Sequence, residues 1–289
     1  MKTIQIIGVP EHFNYPWIQL VNEQPLLEKG IKLAWKDESK GSGAMNKAIR
    51  EKEADIAIIL TESFIKDKIE GNPGKIIGYH VLSPLTWGVH VPAKAGVKTV
   101  NQLQHTPFLI SRYGSGSHLM TYLLAKEKGW QPESLQFEVV GNMDGAKDAF
   151  ADQKPKGFLW EKYTTKPFVD EGYFDRIGEI PTPWPCFVLV AQEELVDSHE
   201  NELKLIQDLI YQKSMEIRKQ DNLSQILSEA YGIQEPDISA WLEQTTWATN
   251  NQLSTESLNN TMDILFELGL IKEKTTIENL TAKELVDLI

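Results

Sequence analysis

A two-lobed α/β fold with a helical C-terminal tail is the class this sequence predicts, and three observations predict it. Short β-branched runs alternate with helical stretches through the first two-thirds of the chain, the pattern of βαβ units and a mostly parallel sheet. Beyond about residue 197 the periodicity turns helical throughout. Between these regions, TWGVHVP and PTPWPCFVLVAQ are placed to cross from one lobe to the other and back. Pro181, Pro183 and Pro185 make the return segment extended and stiff. The expected division is therefore discontinuous. Residues 1–86 form the first part of lobe one, 87–187 form lobe two, and 188–289 return to lobe one and add the C-terminal helices.

Each element has its own justification. TIQIIGV reads as a buried strand, PWIQLVNEQPLLEKG as a helix interrupted near Pro25, and IKLAWKD as a second strand. ESKGSGAMNKAIREKEA opens with a Ser/Gly turn and continues as a helix; DIAIILT is a third strand, ended by ESFIKDKIEG. KIIGYHVLS and TWGVHVP are extended runs around Pro84, and VKTVNQL starts a short helix. PFLIS, LQFEVVG and KGFLWE read as strands, separated by the helical HLMTYLLAKEKGW and MDGAKDAFADQK. YTTKPFVDEGYF is a helical or turn segment, and FDRIGEI and CFVLVAQ are the last extended runs. The tail is read as five helices: ENELKLIQDLIYQKSMEIRKQ, NLSQILSEAYGI, ISAWLEQTTWA, ESLNNTMDILFELGLI and TAKELVDLI.

Composition narrows the function classes. The 289 residues are 41% apolar and 24% charged, as in ordinary globular proteins with sizeable cores. Net charge is −12, from 29 basic and 41 acidic residues without a basic block. Nucleic acid and anionic membrane surfaces both need clustered Lys and Arg, so neither is an expected partner. One cysteine, Cys186, excludes an internal disulfide and a multi-thiolate metal site. The six histidines show no paired ligand spacing, and no metal or cofactor is expected. IQIIGV is too short for the apolar core of a secretory signal, and no run approaches a membrane span. The expected location is cytoplasmic, or periplasmic if a leader preceded Met1.

In open α/β sheets ligands bind outside the carboxyl ends of the strands. That rule selects Tyr15 and Trp17 after strand one, SKGSG after strand two and Thr61 to Ser63 after strand three. In the second half it selects SRYGSGS, GNMDG and WEKYTTK. SKGSG and SRYGSGS each open a helix, where first-turn N–H groups and the positive end of the helix dipole suit a carboxylate, phosphate, sulfonate or polar heterocycle. Arg112 adds a fixed positive fork. The same turns also read as plain N-caps, for which Ser and Gly are favoured. Trp17, Trp160 and Trp184 are either core aromatics or stacking surfaces for a flat ligand. Glu62 and Glu161 are either solvated loop carboxylates or acceptors for an amine or ring N–H.

The order of lobes, ADIAIILTES after GSGAMNKAI, and SRYGSGSH resemble the substrate-binding proteins of nitrate, sulfonate and taurine transporters and of thiamine-pyrimidine synthesis. FLWEKYTTKPFVDEG and RIGEIPTPWPCFVLVA resemble a leaderless fungal and bacterial branch of that superfamily. The resemblance spans most of residues 1–250. It implies the type II periplasmic-binding-protein fold and a small-molecule, polar, anionic or heterocyclic ligand held by closure of the two lobes, with hinges near 86–91 and 184–189. Carried over by position, it implies a cleft lined by Trp17, Ser42, Gly43, Glu62, Ser83, Arg112, Ser115, Gly116, Ser117, Asn142, Trp160, Glu161 and Trp184. The chain departs from the pyrimidine-forming enzymes of the superfamily in lacking their cysteine-rich motif, and it shows no export signal. Binding without catalysis is the expected role, so no catalytic residue is assigned. The alternative is an enzyme on the same fold, a lyase, a dehydratase or one of pyrimidine metabolism, with Glu62, Glu161 or His12 as its acid or base. The sequence names no transporter or protein partner.

Overall fold

A computed structural model describes residues 1–289. Its strands in chain order are β1 (Lys2–Gly8), β2 (Ile31–Asp37), β3 (Ile56–Leu60), β4 (Lys75–Val81), β5 (Thr86–Pro92), β6 (Pro107–Ile110), β7 (Gln136–Val139), β8 (Gly157–Glu161), β9 (Phe174–Pro181) and β10 (Phe187–Ala191). They form two sheets of five strands, ordered β2-β1-β3-β10-β4 and β7-β6-β8-β5-β9. Every residue of β3 and of β10 is buried, which is why both read as unbroken apolar runs rather than alternating ones.

The sheets are more mixed than the expected parallel pattern. β1 pairs in parallel with β2 and β3, and β6 with β7 and β8. β10 runs antiparallel to β3 and β4, and β5 runs antiparallel to β8 and β9. The two antiparallel strands are the two that follow a crossing between sheets. A strand entering a sheet from the other lobe meets it at the end where the resident parallel strands finish, so it runs against them.

Helices α1 (Tyr15–Glu23), α2 (Ser42–Arg50) and α3 (Thr61–Ile69) belong to the first sheet's half of the chain. α4 (Gly116–Lys128), α5 (Met143–Phe150) and the short α6 (Lys166–Asp170) accompany the second sheet. α1 stops before Pro25, where Gln24 adopts a left-handed backbone and its N–H bonds the Leu20 carbonyl. The tail carries α7 (Glu193–Ser198), α8 (Glu200–Arg218), α9 (Leu223–Tyr231), α10 (Glu235–Gln244), α11 (Thr255–Glu267) and α12 (Ile277–Leu280). No helix is long and apolar enough to cross a membrane.

TAKELVDLI, read as a helix, is not one. Thr281 bridges Ile76 beside β4, and β12 (Asp287–Leu288) pairs with β11 (Gln252–Leu253). Leu285 and Val286 are buried there. Backbone pairing to strands distant in sequence outweighs a local helix propensity of a few tenths of a kcal/mol per residue.

The two crossing segments lie side by side. Leu85 and Thr182 exchange hydrogen bonds, the Leu85 N–H to Thr182 Oγ1 at 3.0 Å and the Thr182 N–H to the Leu85 carbonyl at 2.9 Å. The Cys186 N–H donates to the Ser83 carbonyl, and Thr61 donates to the carbonyls of Cys186 and Pro185. Buried Trp184 completes the knot, its Nε1–H donating to Glu62 Oε2 at 2.7 Å. A paired double crossing permits bending while resisting independent sliding of its two strands.

Candidate functional site

Between the sheets lies a cavity of about 50 Å³. At the ~10–15 Å³ that one water needs on such a measure, it holds about four waters. Lobe one supplies Val9, Glu11, Lys40, Gly41, Ser42, Leu60 and Phe187; lobe two supplies Trp87, Ser111, Arg112, Ser115, Gly116, Ser117, Trp160 and Glu161; Leu85 comes from the crossing.

Both Ser/Gly turns open onto this space as helix starts. α2 is entered through Gly41, whose φ of 76° is a left-handed conformation that favours glycine. The Ser42 hydroxyl oxygen accepts from the Leu60 N–H at 3.1 Å, tying the helix start to the end of β3. α4 is entered through Ser115, whose hydroxyl accepts from the His118 N–H and lies 3.0 Å from Ser117 Oγ. Ser117 Oγ in turn accepts from the Ser111 N–H at 3.1 Å. The capping reading of SRYGSGS is thus realised, and it coexists with the ligand-facing one. Serine hydroxyls hold the turn, leaving the first-turn amides of Gly116 and Ser117 directed to the cavity end of the helix.

The turns from opposite lobes touch. Arg112 Nη1–H donates to the Lys40 carbonyl at 3.2 Å, and its guanidinium lies so close to Gly43 that a Cβ there would fall 1.7 Å from Nη2. A Cβ on Gly116 would fall 2.7 Å from the Trp87 ring and 2.9 Å from Leu60 Cδ1, the latter across the cleft. These glycines matter for proximity, not for backbone freedom.

Two carboxyls, Glu11 and Glu161, line the cavity without a cation paired to either, and a third, Glu62, lies at the crossing. Glu161 is buried; its Oε2 accepts from the Tyr163 and Thr164 N–H groups at 2.9 and 2.6 Å. Burial pushes it up to about 7, against those hydrogen bonds. Glu11, partly exposed on the loop after β1, is pushed up to about 8 by desolvation and by the nearby Glu161 charge, with the Trp160 indole opposing. Glu62 is pushed up to about 7 by burial, with its own backbone N–H and Trp184 opposing.

Of the residues carried over by resemblance, Ser42, Arg112, Ser115, Gly116, Ser117, Trp160 and Glu161 line the cavity. Asn142 lines a separate pocket that shares Glu11 and Trp160 with the cavity, and its side chain caps α5 by accepting from the Gly145 N–H. Gly43 backs Arg112. The other four lie elsewhere. Trp17 is sealed in the lobe-one core beside His80, because α1 turns that face onto the sheet. Glu62 and Trp184 are spent on each other at the crossing. Ser83 accepts from the Thr246 N–H, joining the crossing to the helical tail. His12, the acid–base candidate of the enzyme alternative, stacks among Phe13, Tyr231 and Trp241.

Sequence reasoning missed Glu11, Trp87 and Phe187. Glu11 lies in the loop after β1, the position the strand-end rule selects, but a single loop carboxylate carries no local signal of a site. Trp87 and Phe187 follow the two crossings, where the local pattern signals only a strand.

A cleft between two α/β sheets joined by a double crossing is the architecture of two-lobed ligand-binding proteins. A family profile described as "Ca3427-like PBP" matches residues 87–180, most of the second lobe. The structure of the Candida albicans CA3427 gene product, described as defining a new family with the generic periplasmic-binding-protein fold, superposes with a TM-score of 0.87 at 25% identity over 99% of this chain and 96% of that one. The alkanesulfonate-binding protein SsuA from Xanthomonas axonopodis pv. citri, bound to MOPS, superposes with a TM-score of 0.79 at 13% identity, over 100% and 99%. PhnD1 from Prochlorococcus marinus (MIT 9301), in complex with methylphosphonate, gives 0.63 at 11% identity, over 93% and 99%. No curated protein matches. The chain is a member of the type II periplasmic-binding-protein-like superfamily, whose fold is that of a ligand-binding protein.

Proposed function

We propose that this protein closes its two lobes around a small polar or heterocyclic molecule and binds it without turning it over. One observation carries the reading: helix starts from opposite lobes, at Ser42 and at Ser115 to Ser117, face the same cavity. Their orphan amides receive the ligand's electron-rich group, and Trp160 supplies a flat apolar wall beside it. The sulfonate and phosphonate recorded for SsuA and PhnD1 support a ligand of that polar kind. Two of the three acid–base candidates of the enzyme alternative, His12 and Glu62, lie away from the cavity, which leaves Glu161 alone beside it.

Native mass spectrometry of freshly purified protein should show a bound small molecule, and small-angle scattering should show contraction when that molecule is restored to stripped protein. Gly116→Val places methyl groups against Leu60 across the cleft, so this variant should keep its circular dichroism spectrum yet neither bind nor contract. Contraction and affinity equal to wild type in Gly116→Val would remove this loop from the site.

A further inference from the structure

SsuA and PhnD1 hold a sulfonate and a phosphonate, yet the charge arrangement in this cavity points the other way. Glu11 enters from lobe one and Glu161 from lobe two, and the Glu161 charge disfavours ionisation of Glu11. Neither takes part in a salt bridge, and both hydrogen bonds accepted by Glu161 fall on Oε2. A second observation is independent of the acids. Trp87 lines the same cavity at 4% exposure, and its Nε1–H has no partner. The cavity is therefore lined by two carboxyls without a paired cation and by an indole whose N–H is unpaired.

The cations nearby are already engaged. Arg112 donates to the Lys40 carbonyl, lies over Gly43, and has Asp67 and Glu38 as its counter-charges. Lys40 sits at the exposed rim. Lys162, beside Glu161, is paired with Glu179 at 3.0 Å. The remaining titratable groups facing the two acids are Tyr163, Tyr231 and Cys186, and none of them brings a positive charge.

We propose that the cleft takes a small planar cation rich in N–H donors, an amidinium, a guanidinium or a protonated amino-heterocycle, clasped between Glu11 of one lobe and Glu161 of the other. This rests on the ligand-binding reading above and adds the charge of the ligand. The cation is what draws the lobes together. With the cleft closed and empty, the pair retains protons, because burial raises both acids and the Glu161 charge raises Glu11 further. A bound cation replaces those protons, and its N–H groups meet Glu161 Oε1, which accepts no hydrogen bond from the protein.

Acetamidinium, acetamide and acetate share one planar shape small enough for the cavity and differ only in charge. Titrated at matched ionic strength, acetamidinium should bind at least about tenfold more tightly than acetamide, and acetate should not bind. Its calorimetric heat should change with the ionisation heat of the buffer, because binding releases protons. Glu11→Gln and Glu161→Gln, checked by melting curves as folded, should lose both the preference and the proton release. Acetate or acetamide binding as well as acetamidinium, retention of the preference in both variants, or no binding by any of the three would each overturn the proposal. A co-purified anion that contracts the wild-type protein would overturn the cation and leave the ligand-binding reading intact. Failure to find any solute that contracts the protein would instead count against that reading.

Discussion

The molecule contains two tryptophan–glutamate sets that look alike in sequence and differ in what they are for. At the crossing, Trp184 and Glu62 are 3% and 0% exposed, and the indole N–H is satisfied by the carboxylate. In the cleft, Trp160 is half-buried and stands with Glu161 and with Glu11 from the other lobe. The first set is sealed inside the crossing. The second lines a cavity between the two sheets. Burial alone does not tell them apart, since Glu62 and Glu161 are raised alike to about 7. What differs is where the carboxyls stand: Glu62 takes the Trp184 N–H inside the packed crossing, its Oε1 buried without a partner, whereas Glu11 and Glu161 line a cavity.

The largest effect should come from breaking the sealed set. Trp184→Ala removes a large buried side chain and strands Glu62, so unfolding free energy should fall by about 3–5 kcal/mol in chemical denaturation. A loss below about 1 kcal/mol would show the crossing is not held by this contact.

The pH dependence sharpens the same contrast. Glu11, Glu62 and Glu161 bind protons more strongly in the folded protein than at their ordinary value of 4.5. The folded state therefore holds more protons than the unfolded one between pH 4.5 and about 8, and stability should fall as pH rises through that window. Glu62→Gln keeps an acceptor for Trp184 and removes one titration. Above pH 8 it should be more stable than wild type by on the order of 1–3 kcal/mol, at about 1.4 kcal/mol per pKa unit. Parallel stability–pH curves for the two proteins would refute the assignment.

Trp160→Ala should act on the cavity-lining set. Ligand affinity should fall by about 1–3 kcal/mol through the lost stacking surface. Stability should change by less than about 1 kcal/mol, because the ring is only half-buried beside Phe158. The reverse pattern in titration calorimetry and thermal melts would make Trp160 a core residue like Trp184.

Ser115→Ala should be the mildest. The hydroxyl is engaged with the His118 N–H and with Ser117, so its loss should lower stability by about 1 kcal/mol and leave affinity near wild type. A larger loss of affinity than of stability would mean that the hydroxyl itself meets the ligand.

Much of the fold was legible because local and global preferences agree. IKLAWKD and TWGVHVP are strands residue for residue, as β2 and β5. HLMTYLLAKEKGW extends two residues earlier as α4, since the capping serine lies at position 115 rather than 117. The site was legible where the strand-end rule and the Ser/Gly turns coincide, at Ser42, Arg112 and Ser115 to Ser117, and at Trp160 and Glu161. It was illegible where identical residue types stand at equivalent strand ends. Nothing local distinguishes a tryptophan that finds a glutamate from one that is left facing a cleft.

By itself the sequence determined the strands, most helices and the two Ser/Gly helix starts, because periodicity, proline placement and N-capping act over a few residues. Only the tertiary structure decided that Glu11 meets Glu161 across the cleft, that Arg112 lies on Gly43, and that the C-terminal segment pairs as strand. Each of those outcomes joins residues more than about thirty positions apart. Such contacts depend on how lobes and chain ends are brought together, and no short window of sequence encodes that.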